Sequence, residues 1–405
     1  MPVAPTSDTS NVSDLSRRRH ARAEQTQLQI LGMQRRSRCG YCRTPAGSCC
    51  FGARTRLLRC ADYQVLIDRG WRRSGSLLYL TDHSSSCCAY YSIRTHALSH
   101  TLQQSEKKLL RKWRRWELLG DSAPDSALDS SVVTAGRRLV VRLEPAAYSE
   151  EKFHVFERYQ RAVHNDMDAS RSGFQSFLCS SPLLFEDTAN GPTSGRLLSH
   201  GLGSYHQCYY VDGRLAAVGV IDVLPTCVSS VYLFYDPEFS DLSLGTYSSL
   251  REIALVRELN QYVSPDIKYY YMGYFIPSCP KMTYKARWRP AELLDLVTFA
   301  WIPIDQCLER IRQHPAFCTF DPRINSRNIV RNSRRDVLSW APAISPCTLS
   351  DGERRAAMQL VFWIGPRNSV LASNLACISK ELEQVVWQTV ASLGLPLASR
   401  AILSI

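Results

Sequence analysis

No run of eighteen or more apolar residues occurs in this 405-residue chain, although 45% of its residues are hydrophobic. A bilayer-crossing helix needs about 20 such residues, so no membrane partner is expected, and the apolar side chains should fill cores of the protein's own. Nor does an apolar segment follow Arg17-Arg18-Arg19, which argues against a secretory leader. No internal repeat is present, so a repeat architecture is not expected. A glycine-rich phosphate loop is missing too: Leu244-Gly245-Thr246 offers a single glycine, so no nucleotide cofactor is expected.

Acidic residues are scarce at one end. Through Gly120 there are 21 Lys and Arg against 8 Asp and Glu, whereas the remainder carries 28 against 29. Such asymmetry points to a polyanion-binding N-terminal part, with nucleic acid the commonest partner, an anionic membrane surface the alternative and a merely soluble basic surface the plain reading. Fifteen cysteines are scattered through a chain too large to need disulfide staples, which fits a reducing compartment, cytoplasmic and nuclear.

Residues 1–37, rich in Ser, Thr, Gln and Arg, read as a disordered basic leader. A Cys-rich basic module follows over 38–119, and the turn-forming text after Gly120 marks a linker over 120–137. A second domain is expected over 138–322. It opens with a strand at Leu139 to Leu143 and a helix from Glu150 to Asn165, and Asp212-Gly213 signals a hairpin. Leu250, Ile253, Ala254 and Leu259 share a helix face before an aromatic strand, Lys268 to Ile276. An antiparallel sheet ending in a helix crossover is the pattern of an α+β, acetyltransferase-like (GNAT-type) domain. The tail, 323–405, shows two helical stretches, Glu353 to Ile364 and Ser379 to Ser392, and no chemistry of its own.

Five groups of residues could carry chemistry. Cys39-Gly40-Tyr41-Cys42 and Cys87-Cys88 supply four soft thiolates, suited to zinc or an iron–sulfur cluster, or to a redox pair. Arg69, Trp71, Arg72 and Arg73 set guanidinium groups beside an indole, which grips phosphate and stacks on bases, or makes a plain cation–π surface. Lys107, Lys108 and Arg111 lie on a basic amphipathic helix, Ser105 to Leu119, that touches RNA or simply faces water. Gly245 at a helix start offers free amides to a phosphate. His206, Asp222 and Asp236 are read at strand ends, where an acid or base, or a structural hydrogen-bonding residue, would sit.

Taken together, Cys39 to Cys42, Tyr63 to Gly75, Cys87-Cys88, Leu143 to Ala146, Gly203 to Gln207, Ala217 to Asp222, Ser229 to Tyr232, Tyr235 to Pro237, Leu242 to Ile253 and Tyr269 to Arg289 resemble the arginyl-tRNA–protein transferases. The resemblance implies transfer of arginine from arginyl-tRNA, the co-substrate, to the α-amino group of proteins beginning with Asp, Glu or oxidised Cys. In the family this marks them for ubiquitin-dependent degradation by the N-degron pathway; a non-catalytic tRNA- or N-terminus-binding module is the alternative. It also implies Cys39, Cys42, Cys87 and Cys88 as ligands of an iron–sulfur cluster or zinc. For such a transfer Asp236 and His206 are expected near the chemistry, and Tyr271, Lys281, Lys285 and Arg287 around the acidic acceptor, because a buried carboxylate requires cationic partners, or else these cations hold tRNA phosphates. The chain departs from the family between Cys42 and Tyr63, after Cys88, and at Pro277, where the family often has His.

Overall fold

Gln27-Leu28-Gln29-Ile30 alternates polar and apolar residues, and it forms a strand with Leu28 and Ile30 buried. In this computed structural model the described residues are 25–34, 36–83, 85–119, 137–187, 197–315, 317–323, 350–364 and 368–405. The expected leader of 1–37 therefore ends earlier than its composition suggested, because the glutamines occupy the wet face of a half-buried strand. Its first 24 residues, and 120–136 of the expected linker, lie outside the described residues.

The first part of the chain holds β1 (Gln27–Met33), β2 (Cys50–Leu57), helix α1 (Cys60–Ile67), β3 (Arg72–Ser74), β4 (Leu77–Thr81), β5 (Tyr91–His96) and helix α2 (Gln104–Leu119). The middle holds β6 (Leu139–Pro145), helix α3 (Glu150–Tyr159), β7 (Gly203–Val211), β8 (Arg214–Val223), β9 (Cys227–Tyr235), helix α4 (Leu244–Tyr262), β10 (Tyr269–Phe275), β11 (Ala291–Leu294) and β12 (Trp301–Pro303). The last part adds β13 (Val361–Ile364), β14 (Asn368–Leu371), helix α5 (Lys380–Leu393) and β15 (Ile402–Ser404).

These strands form two mixed sheets, one in the order β14-β13-β15-β1-β2-β4-β3 and one in the order β12-β11-β5-β10-β9-β8-β7-β6. Each sheet mixes the segments that composition had divided. β5, from the Cys-rich part, lies between β11 and β10 in the larger sheet, and β15, from the tail, pairs in parallel with β1. Within the tail the stretch expected to be one helix to Ile364 is helical only over Asp351–Ala357 and then becomes β13. The β-branched and aromatic run Val361-Phe362-Trp363-Ile364 suits a pleated surface better than a helix.

The Asp212-Gly213 turn joins β7 to β8 with φ of 49° and 82° at its two residues, the left-handed pair a type I′ hairpin demands. β9 and β10 are parallel, and α4 makes the crossover between them. The core beneath this crossover contains Leu250, Ile253, Val256 and Leu259 of α4 with Ile221, Val228 and Tyr270 of the sheet. No described helix is long and apolar enough to cross a membrane.

Candidate active site and cysteine centre

β9 and β10 run together only briefly. They pair over Cys227 to Ser229 and Tyr269 to Tyr271; β9 then continues to Tyr235 along β8, while β10 continues to Phe275 along β5. The cause is local. Gly273 has a φ of +76° and the β10–β5 register shifts between Tyr271 and Tyr274, so the strand bulges. Lys285 Nζ donates to Met272 O (2.7 Å) and Tyr274 O (2.8 Å), supplying donors to a bulged strand. Burial pushes this buried amine down to about 7, with Arg72 adding to the shift.

The parted strands leave a gap in the middle of the sheet. On one side the Tyr232 hydroxyl of β9 accepts from Gln160 Nε2 (3.0 Å) and shares a hydrogen bond with His164 Nε2 (3.4 Å). Tyr284, half exposed on the turn after β10, acts electrostatically on Tyr159 and on Glu252. Lys281 and Arg287 are exposed on the turn after β10, and Arg43 is exposed on the cysteine knuckle. Burial, Lys281 and Arg43 together hold the His164 imidazole below its usual range, so the turn and the cysteine knuckle both act on the segment that follows α3. Arg287 Nη2 donates to Thr246 Oγ1 (2.9 Å) at the start of α4, beside exposed Gly245.

The sulfurs of Cys39, Cys42, Cys87 and Cys88 all lie within 4.8 Å of one another. Individual separations are 3.1 Å for Cys42–Cys87, 3.9 Å for Cys39–Cys88 and 3.9 Å for Cys87–Cys88. One tetrahedral ion with bonds of about 2.3 Å sets its thiolates about 3.8 Å apart. The donor set fits a metal ion, and the four residues can hold one. Thr44, through side chain and backbone, holds the exposed Cys42 thiol below the usual thiol range. The centre packs on β10: Cys39 and Cys88 share a cluster with Tyr90, Tyr274 and Ile276, and Tyr41, Cys279 and Met282 close it.

Several residues expected at a site have other partners. Trp71 is fully buried and donates to Ser392 O (3.0 Å), and Arg69 donates to Ser392 O and Ala391 O; both satisfy carbonyls at the C-terminal end of α5. Arg73 is paired with buried Asp222, and buried Arg72 donates to Trp71 O and lies over Tyr274. None of the four presents a free side chain to a nucleic acid. Tyr271 is buried and donates to Asp68 Oδ1, and Lys285 is the strut of the bulge, so neither lines the rim. His206 sits within β7 rather than at a strand end. It is fully buried with Nε2 on Leu178 O, and burial pushes its imidazole down to about 4. Asp236 caps the turn after β9 and pairs with Arg158 and Arg214; burial pushes its carboxyl up, but Arg214, the Glu238 amide and Arg158 outweigh it and hold it low.

Lys281, Arg287 and Gly245 remain exposed at or near the gap, and Lys107, Lys108 and Arg111 are exposed on α2. Sequence reasoning missed Arg43 and His164, whose only signal is their neighbourhood in the fold.

The family profile described as arginine-tRNA-protein transferase, C terminus, matches residues 151–295, and the corresponding N-terminus profile matches residues 37–108. Arginyl-tRNA–protein transferase 1 of Drosophila melanogaster is 30% identical over 416 residues, covering 69% of this chain and 84% of that protein. The Saccharomyces cerevisiae protein of the same name is 35% identical over 289 residues, covering 67% of this chain and 56% of that protein. The aspartate/glutamate leucyltransferase of Pseudomonas fluorescens is 30% identical over 246 residues, covering 60% of this chain and 83% of that protein.

Proposed function

This chain belongs to the arginyl-tRNA–protein transferase family, a family of aminoacyltransferases, and on that premise we propose that it moves arginine from arginyl-tRNA onto the α-amino group of proteins beginning with Asp, Glu or oxidised Cys. The observation that carries this reading is the cationic turn after the parted strands: Lys281 and Arg287 are exposed on it, and Lys281 and Arg43 of the cysteine knuckle act on the same imidazole, His164. A carboxylate that leaves water requires such partners. The similarity to a protein named for leucine transfer to aspartate or glutamate supports an acidic acceptor.

In this reading the larger sheet is a GNAT-type transfer domain, with the aminoacyl end of the tRNA in the gap. Gly245, at the start of α4, takes a phosphate of the acceptor end, and Lys107, Lys108 and Arg111 take phosphates of the tRNA body. Residues 38–119 then serve the metal and the tRNA, and 138–322 the transfer.

The ester is already activated, so no nucleotide is hydrolysed. An α-amine with a pKa of about 7.7 to 8.0 is partly neutral at cellular pH. Held against the ester, its nitrogen forms a bond to the carbonyl carbon, the ester C–O bond breaks, and the amine proton ends on the departing ribose oxygen. The developing oxyanion calls for donors, which the hydroxyls of Tyr232 and Tyr284 and the amides of β9 beyond Ser229 supply. Cys39, Cys42, Cys87 and Cys88 would hold a metal, and their close spacing suits a single ion such as zinc better than a cluster whose ligands sit on several irons. Bound there, the ion would join the knuckle that carries Arg43 to the Cys87-Cys88 segment ahead of β5.

The arginylated product is a substrate for the N-degron branch of ubiquitin-dependent degradation, in the cytoplasm and nucleus. The test is transfer of labelled arginine from arginyl-tRNA to matched peptides beginning with Asp, Glu, Lys or Ala. Label on the Asp and Glu peptides alone is expected. Binding of tRNA with no label on any peptide would instead mark a non-catalytic binding module.

A further inference from the structure

The point where β9 and β10 separate is occupied from below by one carboxylate. Glu252, on the crossover helix α4, is almost completely buried at 1% exposure. It lies against the hydroxyls of Tyr270 on β10 and Ser230 on β9, the residues that flank the fork. Its Oε1 is 3.2 Å from where a Cβ on Gly219 would stand, so a side chain at that position of β8 would crowd it. Its Oε2 has no hydrogen-bond partner among the described residues.

Among the described residues no salt bridge supplies it a counter-charge. The groups facing it are Tyr209 from β7, Tyr270 from β10 and Tyr284 from the turn beyond, all hydroxyls. Arg251, its neighbour on α4, acts on Glu117, Tyr209 and Tyr247 and is not among the groups that act on Glu252. Burial therefore pushes this carboxyl up to about 7 against the small downward pull of the two hydroxyls. A buried acceptor with a free lone pair and no cation is an arrangement that folding alone disfavours. It becomes favourable when a cation with several donors arrives.

We propose that Glu252 recognises the guanidinium of the arginyl group on the donor tRNA, with Oε2 accepting one N–H of the fork and the Tyr270 and Ser230 hydroxyls completing the site. The assignment rests on the transfer reading given above. Arginine suits such a buried carboxylate: in this assignment its long apolar stem carries the guanidinium inward while its ester carbonyl stays with the acceptor amine. A lysine ammonium is a point charge without the planar fork that fits a carboxylate. An uncharged side chain would leave Oε2 buried and unsatisfied, and this gives discrimination by the penalty on the wrong substrate.

The experiment compares the full-length protein with its Glu252→Gln and Glu252→Asp variants, using one tRNA charged with arginine or with citrulline, which has nearly the same shape and no charge. With an Asp-initiated peptide as acceptor, the native protein should prefer the arginyl donor at least tenfold in kcat/KM. Glu252→Gln should lose most of that preference through the arginyl donor alone, with citrullyl transfer little changed, and Glu252→Asp should keep part of it. A preference that survives in Glu252→Gln overturns the proposal. If Glu252→Gln does not fold, the native protein decides: equal use of the two donors overturns it, and a tenfold preference supports it. If the native protein transfers nothing, the transfer reading fails. Glu252 is then judged by filter binding, where equal affinity for the two charged tRNAs overturns the assignment and tighter binding of the arginyl form upholds it.

Discussion

Arg73 and Asp222 form a buried two-pronged pair, Nε to Oδ2 at 2.7 Å and Nη2 to Oδ1 at 2.6 Å. Arg73 belongs to β3 of the smaller sheet and Asp222 to β8 of the larger one, and Ser204 donates to the same carboxylate at 2.6 Å. This pair ties the two sheets together with both side chains out of water. Removing one partner leaves a buried charge uncompensated, at a cost of about 3–5 kcal/mol. Arg73→Ala should therefore lower the stability measured by urea unfolding by that much, whereas the double variant Arg73→Met/Asp222→Leu should recover most of it. An Arg73→Ala protein that unfolds like the native one, yet binds tRNA weakly, would contradict this structural role.

Two buried histidines give the fold an acid limit. Burial pushes both His83 and His206 down to about 4 from an ordinary 6.5. The folded state keeps them neutral while the unfolded chain takes up their protons, so stability falls as pH drops from about 6.5 towards 4. Each contributes up to roughly 3 kcal/mol of that loss at the low end. Thermal unfolding across this window should show the midpoint sliding downward, and His83→Phe, whose ring stacks near Tyr91 and Phe317 in the native protein, should flatten the slope. A midpoint independent of pH between 4 and 6.5 would sink the argument.

The cysteine centre should bind one ion per chain. Elemental analysis of protein purified without oxygen is expected to find about one equivalent of metal, lost in the double variant Cys39→Ser/Cys88→Ser. Because the knuckle carries Arg43 to the rim, this loss should raise KM for an Asp-initiated peptide more than KM for arginyl-tRNA. Several irons per chain with matching sulfide would contradict the single-ion reading.

The basic face of α2 offers a salt-dependent test. If Lys107, Lys108 and Arg111 each neutralise a phosphate, replacing all three by Gln should reduce the slope of log K against log salt by about 2. Affinity for the acceptor peptide should not change. An unaltered slope would move the tRNA to another surface.

How much of this was legible in the sequence follows from the range of the interactions. The Asp212-Gly213 hairpin, the crossover helix with Leu250, Ile253 and Leu259 inside, and the aromatic strand leading into the Lys281 turn are local patterns, and each appears where its residues indicate. The run from Arg69 to Arg73 looks like a surface for phosphate because nothing nearby in the sequence neutralises it. Its partners are remote: Asp222 lies 149 residues from Arg73, and Ser392 lies 321 from Trp71. The parting of β9 from β10, and the meeting of Arg43 with Lys281, depend on three separate segments and have no local signature. Glu252 was overlooked for the opposite reason, since one acidic residue in an amphipathic helix reads as solvated until its helix is seen to press that face against the sheet.

The most direct measurement is kcat/KM for labelled arginine transfer to an Asp-initiated and an Ala-initiated peptide, in the native protein and in the double variant Lys281→Ala/Arg287→Ala. A charged hydrogen bond at the rim contributes about 1.5–3 kcal/mol, or roughly 10- to 100-fold. We expect the native protein to favour the Asp peptide by at least that factor and the variant to lose the preference through KM for the Asp peptide. Equal use of both peptides by the native protein, or an undiminished preference in the variant, would contradict a cationic rim that selects acidic N-termini.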